Sequence, residues 1–248
     1  MSPETILILG GTSEARALAG ELAGLGRYRV ITSLAGRTAD PAALKGEVRT
    51  GGFGGVDGLI RYIDEEKIGL VVDATHPFAA GMSANAAEAS RKTGTPCFRL
   101  ERPAWRPLPG DDWREVADTA EAARAIPAGA RALVTVGRQE VAPFLARSDI
   151  HVVARMIERP ETDLPPNAEL VLARPPYPLP DERALLADRA IDILVAKNAG
   201  GTATVAKLMA ARDRGIPVIM VARPYKPTLP TVPDVAAALE TITGEAGD

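Results

Sequence analysis

Apolar residues fall in short unbroken runs along this chain, and polar stretches with helical spacing separate them. Residues 5–10 form the first run, and Tyr28 to Leu34 and Gly69 to Asp73 repeat it. Runs of this kind, without alternation, predict strands covered on both faces. Between them, Ser13 to Leu25 places Leu18, Leu22 and Leu25 on one helical face. Val56 to Glu66 and the alanine-rich Ala79 to Lys92 read as further helices, and Pro96 to Leu100 as the next strand. Strands alternating with helices predict right-handed crossovers and a parallel sheet.

Pro103, Pro107, Pro109 and Gly110 then interrupt the pattern. They place a lobe boundary near residue 101, dividing the chain into 1–100 and 101–248. In the second part, Thr119 to Ile126 reads as a helix and Ala130 to Val136 as a strand. Ile150 to Arg155 and Glu169 to Leu172 read as strands among proline-stiffened loops. The α/β rhythm resumes with helix Asp181–Arg189, strand Asp192–Ala196, helix Thr202–Arg214 and strand Pro217–Ala222. Val235 to Thr243 forms a closing helix. The expected architecture is α/β, with two Rossmann-like lobes, parallel sheets and a cofactor and substrate cleft between the lobes.

Composition narrows the function. Across 248 residues, 46% hydrophobic content supports a packed core, and a formal net charge of −3 gives no electrostatic case for nucleic acid. The single cysteine, Cys97, excludes an internal disulfide framework and a multi-cysteine metal site. His76 and His151 are the only histidines, so no metal centre is expected. No run reaches the roughly 18 apolar residues of a membrane span, and the start lacks the layout of a signal peptide. A cytoplasmic setting is expected.

The chemistry gathers at strand ends. Gly10-Gly11-Thr12-Ser13 follows the first strand and opens a helix. Helix starts expose unpaired N–H groups and the positive dipole end, and glycine lets backbone approach a phosphate. These four residues are candidates for a pyrophosphate cradle, although the full G-x-G-x-x-G fingerprint is absent. An ordinary turn with Ser13 as helix cap is the plainer reading. An NAD site places a carboxylate about 20 residues beyond the glycines. Here Ile31 to Arg37 carries none; Thr32, Ser33 and Arg37 instead suit a ribose 2′-phosphate. Gly51-Gly52-Phe53-Gly54-Gly55 either runs beside the cofactor, with Gly52 in contact, or simply links strand to helix.

Asp73-Ala74-Thr75-His76-Pro77-Phe78 follows the most apolar strand of the first lobe. Asp73 and Thr75 are cofactor-site candidates there, and His76 is a candidate proton donor. Local capping and loop packing would equally place these residue types. In the second lobe, Arg138 and Lys197 present cations at strand ends, and Asn198, Gly200, Gly201 and Thr202 continue the turn after Lys197. Ser83, Ser90 and Cys97 lack a nucleophile-plus-base context.

Taken together, Ile8 to Arg16, the Asp73-Ala74-Thr75-His76-Pro77-Phe78-Ala79 run and Lys197-Asn198-Ala199-Gly200-Gly201 resemble the CobK/CbiJ family of precorrin-6A reductases of cobalamin biosynthesis. Val136 to Gln139 and Glu101-Arg102-Pro103 support the resemblance, which spans essentially the whole chain. It implies NADPH as cofactor, without flavin or protein metal. It also implies hydride transfer to precorrin-6A, giving precorrin-6B. His76 and Lys197 then become catalytic candidates, with the proton coming from either or from water. Arg138, Asn198, Gly200, Gly201 and Thr202 become substrate-binding candidates for a polycarboxylate. The cobalt-containing substrate of the anaerobic route is the nearest alternative. A nucleotide-diphosphate glycosyltransferase and a non-catalytic NADP sensor are the readings from other classes.

Overall fold

The structure is a computed structural model, and it describes residues 4–36, 44–160 and 163–244. The chain divides into two compact units: residues 1–103 with 224–248, and residues 104–223. The first unit contains β1 (Glu4–Leu9), α1 (Ser13–Gly24), β2 (Tyr28–Leu34), β3 (Glu47–Thr50), α2 (Gly55–Glu65), β4 (Ile68–Asp73), α3 (Ala80–Thr93) and β5 (Cys97–Leu100). The second contains β6 (Trp113–Val116), α4 (Thr119–Ala125), β7 (Arg131–Val134), α5 (Ala142–Leu145), β8 (His151–Met156), β9 (Ala168–Leu172), α6 (Leu179–Asp188), β10 (Ile193–Lys197), α7 (Ala206–Asp213) and β11 (Val218–Val221). Finally, β12 (Thr231–Val232) and α8 (Val235–Thr243) return to the first unit.

Each unit holds a six-stranded parallel sheet. The orders are β12-β5-β4-β1-β2-β3 and β6-β11-β10-β7-β8-β9. Both follow the doubly wound order 3-2-1-4-5-6, with β1 and β7 as the respective first strands. The sixth place is filled differently in each. In the first unit it belongs to β12, from the end of the chain; in the second it belongs to β6, which precedes all its other strands. The expectation of a second lobe running through residue 248 is therefore corrected. Backbone bonds from Arg99 N to Pro230 O and from Glu101 N to Val232 O draw the last segment onto β5.

The apolar runs explain the layers. Along β1, Ile6 and Ile8 face one side, packing with Leu18 and Leu22 of α1 and Ala238 of α8. Leu7 and Leu9 face the other, packing with Leu59 and Ile63 of α2 and Ala86 of α3. Period-two alternation thus buries both faces of one continuous apolar strand. In the second unit, Leu133, Leu194 and Met220 pack against Leu186 of α6 and Leu208 of α7. The helix expected from Thr202 begins instead at Ala206. Gly200 and Gly201 hold φ at 69° and 77°, and residues 202–205 continue as bend and turn before α7.

Candidate active site

In a doubly wound sheet, ligands gather beyond the strand carboxyl ends where strand order reverses. The reversal falls between β1 and β4 in the first unit and between β7 and β10 in the second. The turns after β1 and β4 carry Gly10 to Ser13 and Asp73 to His76. Those after β7 and β10 carry Thr135 to Gln139 and Lys197 to Thr202.

The turn after β1 lies close on β2 at one glycine and is open at the next. Gly11 has φ of 114°, and a side-chain carbon there would meet nothing within 4 Å. At Gly10, such a carbon would lie 3.0 Å from Thr32 Cγ2 and 3.4 Å from the Ser33 carbonyl oxygen. The first glycine therefore lets the turn sit on β2, and the second leaves open space above it. The helix cap is Thr12, not Ser13. Thr12 Oγ1 accepts from the Ala15 amide at 3.0 Å and donates to the Ala74 carbonyl at 2.8 Å. Its hydroxyl proton is thus committed to the segment after β4, and the backbone N–H groups are what the turn offers an anion. Ser13 is exposed and donates to Glu14, which is held by Arg102 at 2.8 Å.

Residues assigned to the ribose phosphate separate in the structure. Thr32, expected at the ribose phosphate, is fully buried beneath Gly10, and its hydroxyl has no hydrogen-bond partner among the described residues. Neighbouring strand residues face opposite sides, and Thr32 faces the α1 layer. Ser33 is nearly buried and accepts a 2.8 Å bond from Arg49. Arg37 lies outside the described residues. Gly52 is exposed, and its carbonyl accepts from Arg49 at 3.1 Å.

Asp73 and Thr75 form a buried network rather than a ligand-facing pair. Asp73 Oδ1 accepts from the Thr75 hydroxyl at 2.7 Å, and Oδ2 from Arg99 Nε at 3.1 Å. Asp73 and Thr75, both expected at the cofactor, are both buried, and their mutual bond supports the turn after β4. The neighbouring Cys97 thiol is pushed up to about 12 by burial, with Asp73 adding repulsion, which keeps it a poor nucleophile. His76 is half-buried. Its Nδ1 accepts from the Phe78 amide at 3.2 Å, which places the neutral ring's proton on Nε2. That tautomer presents Nε2–H as a hydrogen-bond donor.

In the second unit, Lys197 donates to Glu140 Oε1 at 3.1 Å, and Arg138 pairs with Glu158 at 3.1 Å. Asn198 is buried and bonds Trp105. Gly200 is buried, whereas Thr202 is exposed on the turn leading to α7. The Trp105 indole donates to the Gly201 carbonyl at 2.8 Å, and Arg223 donates to the carbonyls of Asn198 and Ala199 at 2.9 and 3.2 Å. Sequence reading missed Arg49, Arg99, Trp105 and Arg223. All four reach their partners through strand pairing or long chain separation.

Among the described residues, no helix is long and apolar enough to cross a membrane. No group of three or more histidine, cysteine, aspartate or glutamate side chains among them is placed to hold a metal ion.

Two doubly wound parallel-sheet units with glycine turns at both reversal points define an α/β protein of the two-lobed Rossmann-like class. The chain belongs to the precorrin-6x reductase CbiJ/CobK family, whose model matches residues 5–243, and it is an oxidoreductase of that family. A precorrin-6A reductase of Rhodococcus erythropolis is 48% identical over 94% of this chain and 95% of its own length. A cobalt-precorrin-6A reductase of Priestia megaterium is 30% identical over 94% and 97%. The solved structure of CobK precorrin-6A reductase superposes with a TM-score of 0.92 and 42% identity, covering 97% of this chain and 96% of that one. The glycosyltransferase reading is displaced by this membership.

Proposed function

We propose that this chain is a precorrin-6A reductase of cobalamin biosynthesis that uses NADPH to reduce one macrocyclic double bond, giving precorrin-6B. The observation that carries the choice of substrate is a gap in similarity. Proteins named precorrin-6A reductase are 44–48% identical over nearly their full length, against 28–30% for those named for the cobalt-containing substrate.

When bound, NADPH supplies the hydride. The backbone at Gly10 to Ser13 and the start of α1 hold the pyrophosphate, a role supported by the open space over Gly11. His76, with Nδ1 taken by the Phe78 amide, presents Nε2–H as a hydrogen-bond donor that positions the macrocycle, and the proton that follows the hydride comes from the Lys197 ammonium or from water. Lys197 and Arg138 exchange their acidic partners for substrate carboxylates, and Asn198, Gly200, Gly201 and Thr202 shape the turn that receives them. A reducing, cytoplasmic compartment suits the lone Cys97.

The test is anaerobic incubation of the protein with NADPH and either precorrin-6A or its cobalt analogue, following nicotinamide and macrocycle absorbance together. Stoichiometric loss of NADPH with the cobalt-free substrate is expected. Faster turnover of the cobalt form would move the chain to the other route, and binding without oxidation of NADPH would revive the sensor reading.

A further inference from the structure

We propose that Arg49 is the residue that selects NADPH over NADH, by holding the adenosine 2′-phosphate; this rests on the NADPH reading above. Arg49 stands on β3 as the register partner of Ser33 on β2. The carboxyl end of β2 is where a doubly wound sheet receives the adenine ribose, and an NAD site would carry its acidic residue there. This chain has a guanidinium there, brought in from the adjacent strand.

Arg49 is held in place without being neutralised. Its Nη1 donates to Ser33 Oγ at 2.8 Å and to the Gly51 carbonyl at 3.0 Å, while Nη2 donates to the Gly52 carbonyl at 3.1 Å. The guanidinium lies over the Phe53 ring at 3.8 Å, and Phe53 meets Tyr62 edge-on at 5.3 Å. Among the described residues its hydrogen-bond partners are one hydroxyl and two carbonyls, none of them a carboxylate. Three of five donor hydrogens are used, so the fork keeps two for an incoming phosphate. Aromatic stacking fixes the plane before any ligand arrives, which lowers the ordering cost of binding.

The surrounding loop leaves room. A side-chain carbon at Gly51, Gly52, Gly54 or Gly55 would meet nothing within 4 Å, and Gly51, Gly54 and Gly55 all have positive φ. Gly58 brings the Phe53 backbone close: a side-chain carbon there would overlap the Phe53 carbonyl. Ser33 acts as the anchor, since it is nearly buried while Arg49 is partly exposed.

Calorimetric titration of the full chain with NADPH, NADH, 2′,5′-ADP and ADP tests this without any turnover. The parent is expected to prefer both phosphorylated ligands. Arg49→Gln should weaken NADPH and 2′,5′-ADP about tenfold to a hundredfold, leaving NADH and ADP within about twofold. Arg49→Lys, which keeps charge without the fork, should fall between. Ser33→Ala provides a milder variant that releases the anchor and keeps the cation; it should lower the NADPH preference without abolishing it. If Arg49→Gln weakens all four ligands equally, Arg49 only staples the glycine loop and the proposal fails. If it leaves the preference intact while Arg37→Gln removes it, the phosphate cation is Arg37. A parent with no preference between NADPH and NADH would overturn the cofactor reading itself, and this proposal with it.

Discussion

Asn198 and Trp105 clasp each other through two hydrogen bonds: Asn198 Oδ1 accepts from the Trp105 amide at 2.8 Å, and Asn198 Nδ2 donates to the Trp105 carbonyl at 3.0 Å. The amide side chain is needed at both ends, because only it offers a donor and an acceptor side by side. Arg223 adds a bond to the Asn198 carbonyl, so the turn after β10 is held by segments 93 residues earlier and 25 later in the chain. Asn198→Asp keeps the acceptor but loses the donor and buries a charge. It is expected to cost about 1–3 kcal/mol in unfolding free energy. In a Trp113→Phe background, Trp105 is the sole indole, and its emission should shift to the red as the Gly201 bond loosens. An unshifted spectrum with unchanged stability would show that the clasp is incidental.

Gly11 combines a φ of 114° with open space around a would-be side chain. Gly11→Ala should therefore separate two effects. Backbone strain is expected to destabilise the fold by about 1–3 kcal/mol, since L residues rarely adopt that conformation. The added methyl also projects into the space assigned to the pyrophosphate, so NADPH affinity should fall further than folding does. Thermal unfolding read beside cofactor titration checks both. Normal affinity in a destabilised variant would move the pyrophosphate away from this turn.

Asp73 and Arg99 form a buried ion pair between register partners of β4 and β5, and Arg99 Nη2 also donates to the Pro227 carbonyl at 3.0 Å. Removing one member strands the other charge. Arg99→Met is expected to cost about 3–5 kcal/mol, and the double variant with Asp73→Asn should recover part of that loss. Denaturant unfolding of the single and double variants measures the coupling. Because the Asp73 oxygens are bonded by Thr75 and Arg99, NADPH affinity in folded Asp73→Asn is expected to stay within about threefold; a larger drop would place Asp73 at the cofactor.

Strands and glycine turns were readable because their signals are local. The apolar runs of β1, β4 and β10 each sit within a single short window, as does the glycine pair that ends β1. What the residues do there depends on register. Arg49, Ser33, Leu9, Asp73 and Arg99 are successive Cα partners across five strands, yet neighbours in that row are 16 to 64 residues apart in sequence. Asp73 thus reads as a ligand residue at a strand end until β5 supplies Arg99. Choosing between Thr12 and Ser13 as helix cap requires the backbone angles, and only Thr12 is extended, at φ −118° and ψ 165°. β12 spans two residues, and β6, Trp-Arg-Glu-Val, has no apolar run, so the exchange of sixth strands leaves no local trace.

Lys207 on α7 is buried against the Trp105 ring, 5.4 Å from its centroid, in a part of the second unit that also holds the Arg155–Glu182 pair at 2.5 Å. Burial pushes its ammonium down to about 7. Repulsion from Arg155 adds to this, attraction to Glu182 opposes it, and Lys197 contributes a further repulsion. In the unfolded chain the same group titrates near 10.4. Between pH 7 and that value, the unfolded chain holds a proton that the folded chain has released. Stability therefore rises with pH through this window, by up to about 1.4 kcal/mol per unit, and is flat in this term below it. The useful range is pH 7 to 8, before the Cys97 thiol of the unfolded chain begins to ionise near 8.5 and, being pushed up in the fold, acts in the opposite direction. Urea unfolding across that range should show the parent gaining stability relative to Lys207→Met, which has no proton to release. The variant should also be the more stable of the two at pH 6, where the parent carries the full cost of a buried charge. Parallel curves would mean that Lys207 keeps its proton in the fold, with Glu182 outweighing burial.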